Sequence, residues 1–248
     1  MIAAIVIAKG DSNRIPKKNM KDFCGRPLCG WTIEQAVSSR LVDLVAVTTD
    51  SPEVKEYAQS LGVVVVDRPY ELTLTPANQA VVHAVKHLEK WGAEIDTILA
   101  PLPTSPIRLP WDMDDLISTY LAGTHPTASA VCEQLETIIY EKHGTAMKTL
   151  IWAKNHEYYV DGGGMSCSNR DWYEELNNKI PETDLEYDKM VKEAGVPYDF
   201  GFTVLKEWQT PELDLPEHWG MAEAAMRHYI LEPMGENCYK EYKHGKKG

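Results

Sequence analysis

The chain predicts a doubly wound α/β fold with a mostly parallel sheet, on three observations. Short, continuous apolar runs recur at Ile2 to Ala8, Leu44 to Thr49, Val63 to Asp67 and Thr97 to Pro101. Helical stretches separate them, as expected when a sheet is covered on both faces. The loops that follow the runs carry glycine, proline and charged groups, and ligands of such folds bind beyond the carboxyl ends of the strands.

The elements can be justified in order. The Ile2 to Ala8 run is β-branched and stops at the polar stretch AKGDSNRIPKKN, Ala8 to Asn19. Trp31 to Ser39 is predicted helical, with Trp31, Ile33, Ala36 and Val37 apolar. Pro52 to Leu61 begins after Asp50 and Ser51 and stops at Gly62, and Ala77 to Trp91 ends at Gly92. This βαβαβ order extends from residue 1 to about 122. Beyond Thr127 the alternation weakens. Ala128 to Cys132 and Ile138 to Tyr140 are predicted strands, and His143 to Gly195, rich in Gly, Asn, Tyr, Trp and acidic residues, reads as an insertion or subdomain. Gly201 to Leu205 restores a core strand and Glu217 to Leu231 a helix. The tail YKHGKKG is expected to be mobile.

The 248 residues suffice for one large domain with an insertion and a sizeable core, not for two independent enzymes. A net charge of -12 argues against a broad footprint for nucleic acid or anionic membrane. An anion site here must concentrate its positive charge locally. The five cysteines are odd in number and scattered, without zinc spacing. No run approaches the ~18 apolar residues of a membrane span, and the first strand runs straight into its polar loop, unlike a signal peptide. A soluble cytoplasmic protein is expected.

Four loops could carry chemistry. In the first, Gly10 permits close backbone approach, Ser12 offers a hydroxyl, and Lys9, Arg14, Lys17 and Lys18 place four cations within ten residues. That composition suits a polyphosphate. It lacks the P-loop order and the GxGxxG order, and a solvated basic loop is the alternative reading. The second, Pro101 to Arg108 (PLPTSPIR), is stiffened by prolines and offers Thr104, Ser105 and Arg108, although such turns are often only structural. The third is Thr48 to Asp50, whose carboxylate is a helix N-cap or a catalytic group. In the fourth, Pro211 to Trp219, Glu212 and Asp214 stand two apart and could hold Mg²⁺ against a polyphosphate, or serve only the helix dipole.

In this order the stretches resemble the acid-sugar cytidylyltransferases, the family of the CMP-N-acylneuraminate and CMP-Kdo synthetases, over residues 1 to about 122 and again at 198 to 231. AKGDSNRIPKKN is similar to the family's ARGGSKRIPxKN, with Lys9, Ser12, Arg14, Lys18 and Asn19 in place. Phe23 to Val37, Val47 to Asp50, Arg68 to Leu72 and Leu102 to Arg108 look like its following blocks. Glu212, Asp214 and His218 fall on its metal motif. The resemblance implies a Rossmann-like, mostly parallel sheet of the nucleotide-diphospho-sugar transferase type. It also implies transfer of CMP from CTP to a small anionic acceptor, an N-acylneuraminate-like acid sugar, with pyrophosphate leaving and Mg²⁺ as cofactor. Lys18, Arg14 and Asp214 would be catalytic, and Lys9, Gly10, Ser12, Asn19, Arg68, Thr104, Ser105 and Arg108 would hold the substrates. Asp214, then Glu212, would bind the metal. The stretch at about 143–195 sits where the family carries a dimerisation arm, so a homodimer is implied. Its aromatics, Trp152, Tyr158, Tyr159, Trp172 and Tyr173, are core, interface or acceptor contacts.

The chain also departs from that pattern. Asn13 replaces a basic residue, Asp11 adds a negative charge, and Leu102 stands where glutamine is usual before PTSP. Tyr198 to Phe202 reads YDFGF where the family has an Arg and an Asn. These changes leave the nucleotide half of the site better matched than the acceptor half. Two further readings follow: CMP transfer to a phosphorylated or phosphonate acceptor, and a nucleotide-binding protein without catalysis.

Overall fold

A computed structural model describes residues 1–143, 146–179 and 200–245, and at side-chain level 1–132, 163–175 and 200–245. Strand β1 (Ile2–Ile7) lies inside the sheet between β4 (Leu44–Thr49) and β6 (Thr97–Pro101), parallel to both, and β5 (Val64–Asp67) extends it, parallel to β4. The continuous apolar run of β1 is explained by burial on both faces. Ala3 and Ile5 pack with Val81 and Val85 of α3 (Ala77–Lys90). Val6 and Ala8 pack on the other face with Cys29 and Ile33 of α1 (Leu28–Ser38) and with Val54 of α2 (Pro52–Ser60).

Helix α1 starts three residues earlier than the periodicity predicts. A two-stranded hairpin, β2 (Asp22–Phe23) with β3 (Arg26–Pro27), covers its start, so the first turn is buried nearly all round and shows no amphipathic edge. The hairpin turn is Cys24-Gly25, both at positive φ, which suits the twist of paired strands. Trp31 Nε1 donates to the carbonyl of Phe23 at 2.6 Å and fixes the hairpin to the helix.

The sheet has seven strands in the order β5-β4-β1-β6-β8-β7-β9. Strands β7 (Thr127–His143) and β8 (Ala146–Asn169) form a long antiparallel hairpin, and Met165 to Asn169 pair antiparallel with β6. The first part of the stretch expected to be an insertion therefore lies in the sheet. Helix α4 (Asp112–Ala122) precedes the hairpin and α5 (Arg170–Lys179) follows it. Tyr198, Asp199 and the side chains of Trp152, Tyr158 and Tyr159 lie outside the described residues.

Two expectations are corrected. Strand β9 (Gly201–Leu205) is an edge strand and not a core one: it pairs only with β7 among the described strands, and Phe202 and Val204 stay half exposed. The start of the tail, Tyr242 and Lys243, is anchored, with Lys243 Nζ donating to the carbonyl of Val37. Beyond α6 (His218–Met226), a π turn at Arg227–Leu231 and α7 (Glu232–Met234), helix α8 (Cys238–Lys243) buries Tyr239 completely. Tyr239 Oη donates to the carbonyl of Arg108 at 2.6 Å, Tyr242 Oη donates to Asp114 at 2.7 Å, and the Arg40 guanidinium lies 4.0 Å from the centre of the Tyr242 ring.

Candidate active site

Because β1, β4, β5 and β6 run parallel, the loops that leave them gather at one edge of the sheet. There they enclose a cavity of about 400 Å³ lined by Lys9, Ser12, Asn13, Arg14, Lys18, Asn19, Arg68, Thr104 and Asp214, with Leu72, Thr73, Thr75 and Leu102. A chain of strongly negative charge thus collects four cations around one hollow.

The first loop is held in shape by side chains that bond to its backbone. Asn19 Nδ2 donates to the carbonyl of Lys9 at 2.8 Å, and Gly10 N–H donates to Asp50 Oδ1 at 3.0 Å. Gly10 passes so close to the loop after β4 that a Cβ there would sit 2.8 Å from that of Ser51. Lys18 begins a 3₁₀ turn (Lys18–Met20) that buries its stem, and its ammonium donates to the carbonyl of Leu213 at 2.9 Å and to Asp214 Oδ1 at 3.1 Å. Arg14 Nη1 donates to the other oxygen, Oδ2, at 2.9 Å. Asp214 therefore sits between two cations and faces the cavity. Lys17 turns away to pair with Glu53.

The segment carrying Asp214 is attached to the proline-rich loop, since Leu213 N–H donates to the carbonyl of Thr104 at 2.8 Å and the Leu213 side chain is fully buried. Glu212 points elsewhere: Ser105 Oγ reaches its Oε1 at 3.4 Å, and its carbonyl meets His218 Nδ1 at 2.8 Å. It is absent from the cavity lining, as is His218. No cluster of three or more His, Cys, Asp or Glu with metal-site geometry exists among the described residues.

Ser105 and Arg108 are fully buried and do not line the cavity. The Arg108 guanidinium donates to the carbonyls of Leu102, Gly163 and Gly164 and to the side chains of Thr32 and Gln35, at 2.7 to 3.2 Å. Burial lowers its pKa to about 10, which leaves it cationic at neutral pH. Here it secures the loop that presents Thr104 and Leu102.

Arg68 follows β5, with its side chain only 3 % exposed, and donates from Nη2 to Asp50 Oδ1 at 3.0 Å. Helix α2 is capped by Ser51, whose hydroxyl accepts from Val54 N–H, so the carboxylate before it serves a different purpose. Burial pushes the Asp50 carboxyl up, but the bonds from Gly10 and Arg68 together outweigh that and hold it below its usual range.

A second cavity, of about 230 Å³, adjoins the first across Ile7, Ala77 and Leu102. Its polar lining is neutral: Asn78, Ser129, Ser166 and Tyr173. Burial pushes the Tyr173 phenol up to about 12, so it stays protonated and bonded to Ser166 Oγ at 3.1 Å. Sequence reasoning passed over Thr73, Thr75, Ser129 and Ser166, which reach the cavities only through the β5–α3 connection and the β7–β8 pairing. Thr73 and Thr75 carried a usable signal, polar residues between a parallel strand and its helix.

Residues 3–100 match the family model described as cytidylyltransferase. The N-acylneuraminate cytidylyltransferase of Oncorhynchus mykiss is 31 % identical over 116 residues, covering 47 % of this chain and 26 % of that protein. A pseudaminic acid cytidylyltransferase of Campylobacter jejuni is 31 % identical over 106 residues, covering 42 % of this chain and 46 % of that one. The chain therefore spans a quarter to about half of the length of these curated relatives. A solved structure of CMP:2-keto-3-deoxy-manno-octonic acid synthetase complexed with CTP covers 92 % of this chain and 99 % of its own, with a TM-score of 0.66 at 18 % identity. Its likeness supports the mostly parallel sheet with flanking helices. The resemblance read from the motifs is thus borne out: the first hundred residues are similar to the cytidylyltransferases in sequence, and the chain as a whole is similar to an acid-sugar synthetase of that kind in fold.

Proposed function

We propose that this chain transfers CMP from CTP to an acid-sugar acceptor and releases pyrophosphate. The observation that carries the reading is the cavity in which Arg14 and Lys18 pair with Asp214, with Lys9 and the buried Arg68 in the same lining. A triphosphate would compete with Asp214 for the same N–H donors, which suits charge-assisted binding. In the reaction, the acceptor's hydroxyl oxygen bonds to the α-phosphorus and gives up its proton to water as the bond from that phosphorus to the bridging oxygen breaks, and the leaving pyrophosphate takes the electron pair. Lys9, Arg14, Lys18 and Ser12 would stabilise the charge that moves onto the phosphates, and Arg68 and Asn19 would hold the nucleoside. Such catalysis is mainly positioning and electrostatics.

The residues fit a magnesium ion in the mode that uses one carboxylate together with substrate phosphates, because Asp214 is the carboxylate in the cavity lining. When bound, the ion would neutralise phosphate charge. The acceptor would enter the second cavity, beside Leu102. A phosphorylated or phosphonate acceptor is the second reading, favoured by Leu102, which brings no amide to a sugar acid. A homodimer in the cytoplasm completes the proposal. No disulfide joins the five cysteines, all of them among the described residues, which suits a reducing compartment, and a sedimentation mass near that of one chain would refute the dimer.

The test is pyrophosphate release from CTP with Mg²⁺ and a panel of sugar acids, phosphosugars and phosphonates. Release with a sugar acid supports the leading reading and release with a phosphonate the second. CTP binding without release would mark a nucleotide-binding protein without catalysis.

A further inference from the structure

The strand order places β4 between β1 and β5, so a side chain at the carboxyl end of β4 can reach the loops leaving both neighbours. Asp50 occupies that point. One of its oxygens, Oδ1, accepts from Gly10 N–H in the first loop and from Arg68 Nη2 after β5, each at 3.0 Å. We infer that Asp50 is a positioning residue that couples the phosphate-side loop to Arg68, so that the two halves of a bound nucleotide are held in one geometry.

Three observations support this. Ser51 caps α2, so Asp50 is not committed to the helix. Gly10 is pressed against Ser51, and a loop seated that closely depends on the acceptor that meets its N–H. Arg68 is almost wholly buried with Nε unpartnered among the described residues, and it lines the cavity. A buried guanidinium is held by its carboxylate, and its orientation in the cavity follows from where that carboxylate stands.

The inference rests on the nucleotide reading, and affinities for CTP and for inorganic tripolyphosphate separate the two. Asp50→Asn keeps an oxygen for Gly10 but removes the charge that orients Arg68. It should bind tripolyphosphate within about twofold of wild type and CTP about tenfold more weakly. Asp50→Ala, lacking both bonds, should weaken both ligands. In a double variant with Arg68→Lys, Asp50→Asn should add little further loss for CTP, because the two residues act as one unit. Additive losses in the double variant, or an Asp50→Asn protein that binds CTP as wild type does, would overturn the coupling, and neither result requires Asp50→Ala to fold. A folded wild type without affinity for CTP would remove the nucleotide reading itself, and the inference with it.

Discussion

Asp214 shows how a residue that faces the cavity can contribute little to the fold. Its side chain is 41 % exposed, its pair with the exposed Arg14 contributes at most about 1 kcal/mol, and without Asp214 the buried Lys18 ammonium keeps the Leu213 carbonyl as a partner. Asp214→Ala should therefore shift the melting temperature by less than about 4 °C while lowering turnover by about 100-fold or more. Equal turnover in a folded variant would remove Asp214 from the mechanism. Asp112 is the opposite case. Burial pushes its carboxyl from 3.8 up to about 6, even though Leu109 N–H and Gln209 Nε2 donate to it. A carboxyl with a raised folded pKa binds its proton more tightly when folded, so its contribution is present at low pH and is lost as pH rises from about 4 to 6. Relative to Asp112→Asn, wild type should lose stability across that window in urea titrations, and parallel curves would refute the assignment. In the sequence, an acidic pair set against a basic loop was legible, and only the family resemblance put Asp214 ahead of Glu212. That Glu212 turns to Ser105 was not, because an E-x-D spacing says nothing about which carboxylate the neighbouring loop leaves facing the cavity.

At the scale of elements, the PTSPIR loop was legible as a stiff strand-end loop, but the place of Arg108 within it was not. Its partners are carbonyls 55 and 56 residues away at Gly163 and Gly164. Those glycines have φ of 68° and 48°, and a Cβ on Gly164 would fall 2.5 Å from Ser105 Oγ, so the β8 backbone can approach the loop only without side chains there. Only tertiary pairing brings these groups together, and no local pattern announces it. Arg108→Ala would take both guanidinium donors from the Gly163 carbonyl and one each from Leu102 and Gly164, which keep backbone N–H partners, and should cost about 2 kcal/mol or more, read as a lowered urea midpoint. A cost below about 1 kcal/mol would mean that the loop holds itself. The early start of α1 was hidden for a related reason, since a helix covered on every side loses the polar edge by which its first turn is recognised.

Over the whole molecule, the strand–helix order was legible because β1, β4 and β6 are largely buried on both faces, and of the β7–β8 hairpin only pieces of β7 were legible, because glycine and polar residues interrupt the runs of β8. The charge distribution follows the same division. A net charge of -12 surrounds a cavity lined by Lys9, Arg14, Lys18 and Arg68, so the proposed CTP association would depend on a local field acting against the global one. Raising salt from about 0.05 M to about 0.5 M should weaken CTP binding by about tenfold, measured by calorimetry, and a salt-independent affinity would mean that these cations do not meet the triphosphate.

The bond between Lys18 and Leu213, almost two hundred positions apart, also has a consequence for synthesis. A nascent chain has all four cations of the hollow by the time Arg68 has been added, but it acquires the carboxylate between them only once Asp214 emerges from the ribosome. Until then the basic loop faces the polyanions of the translating cell without its internal counter-charge.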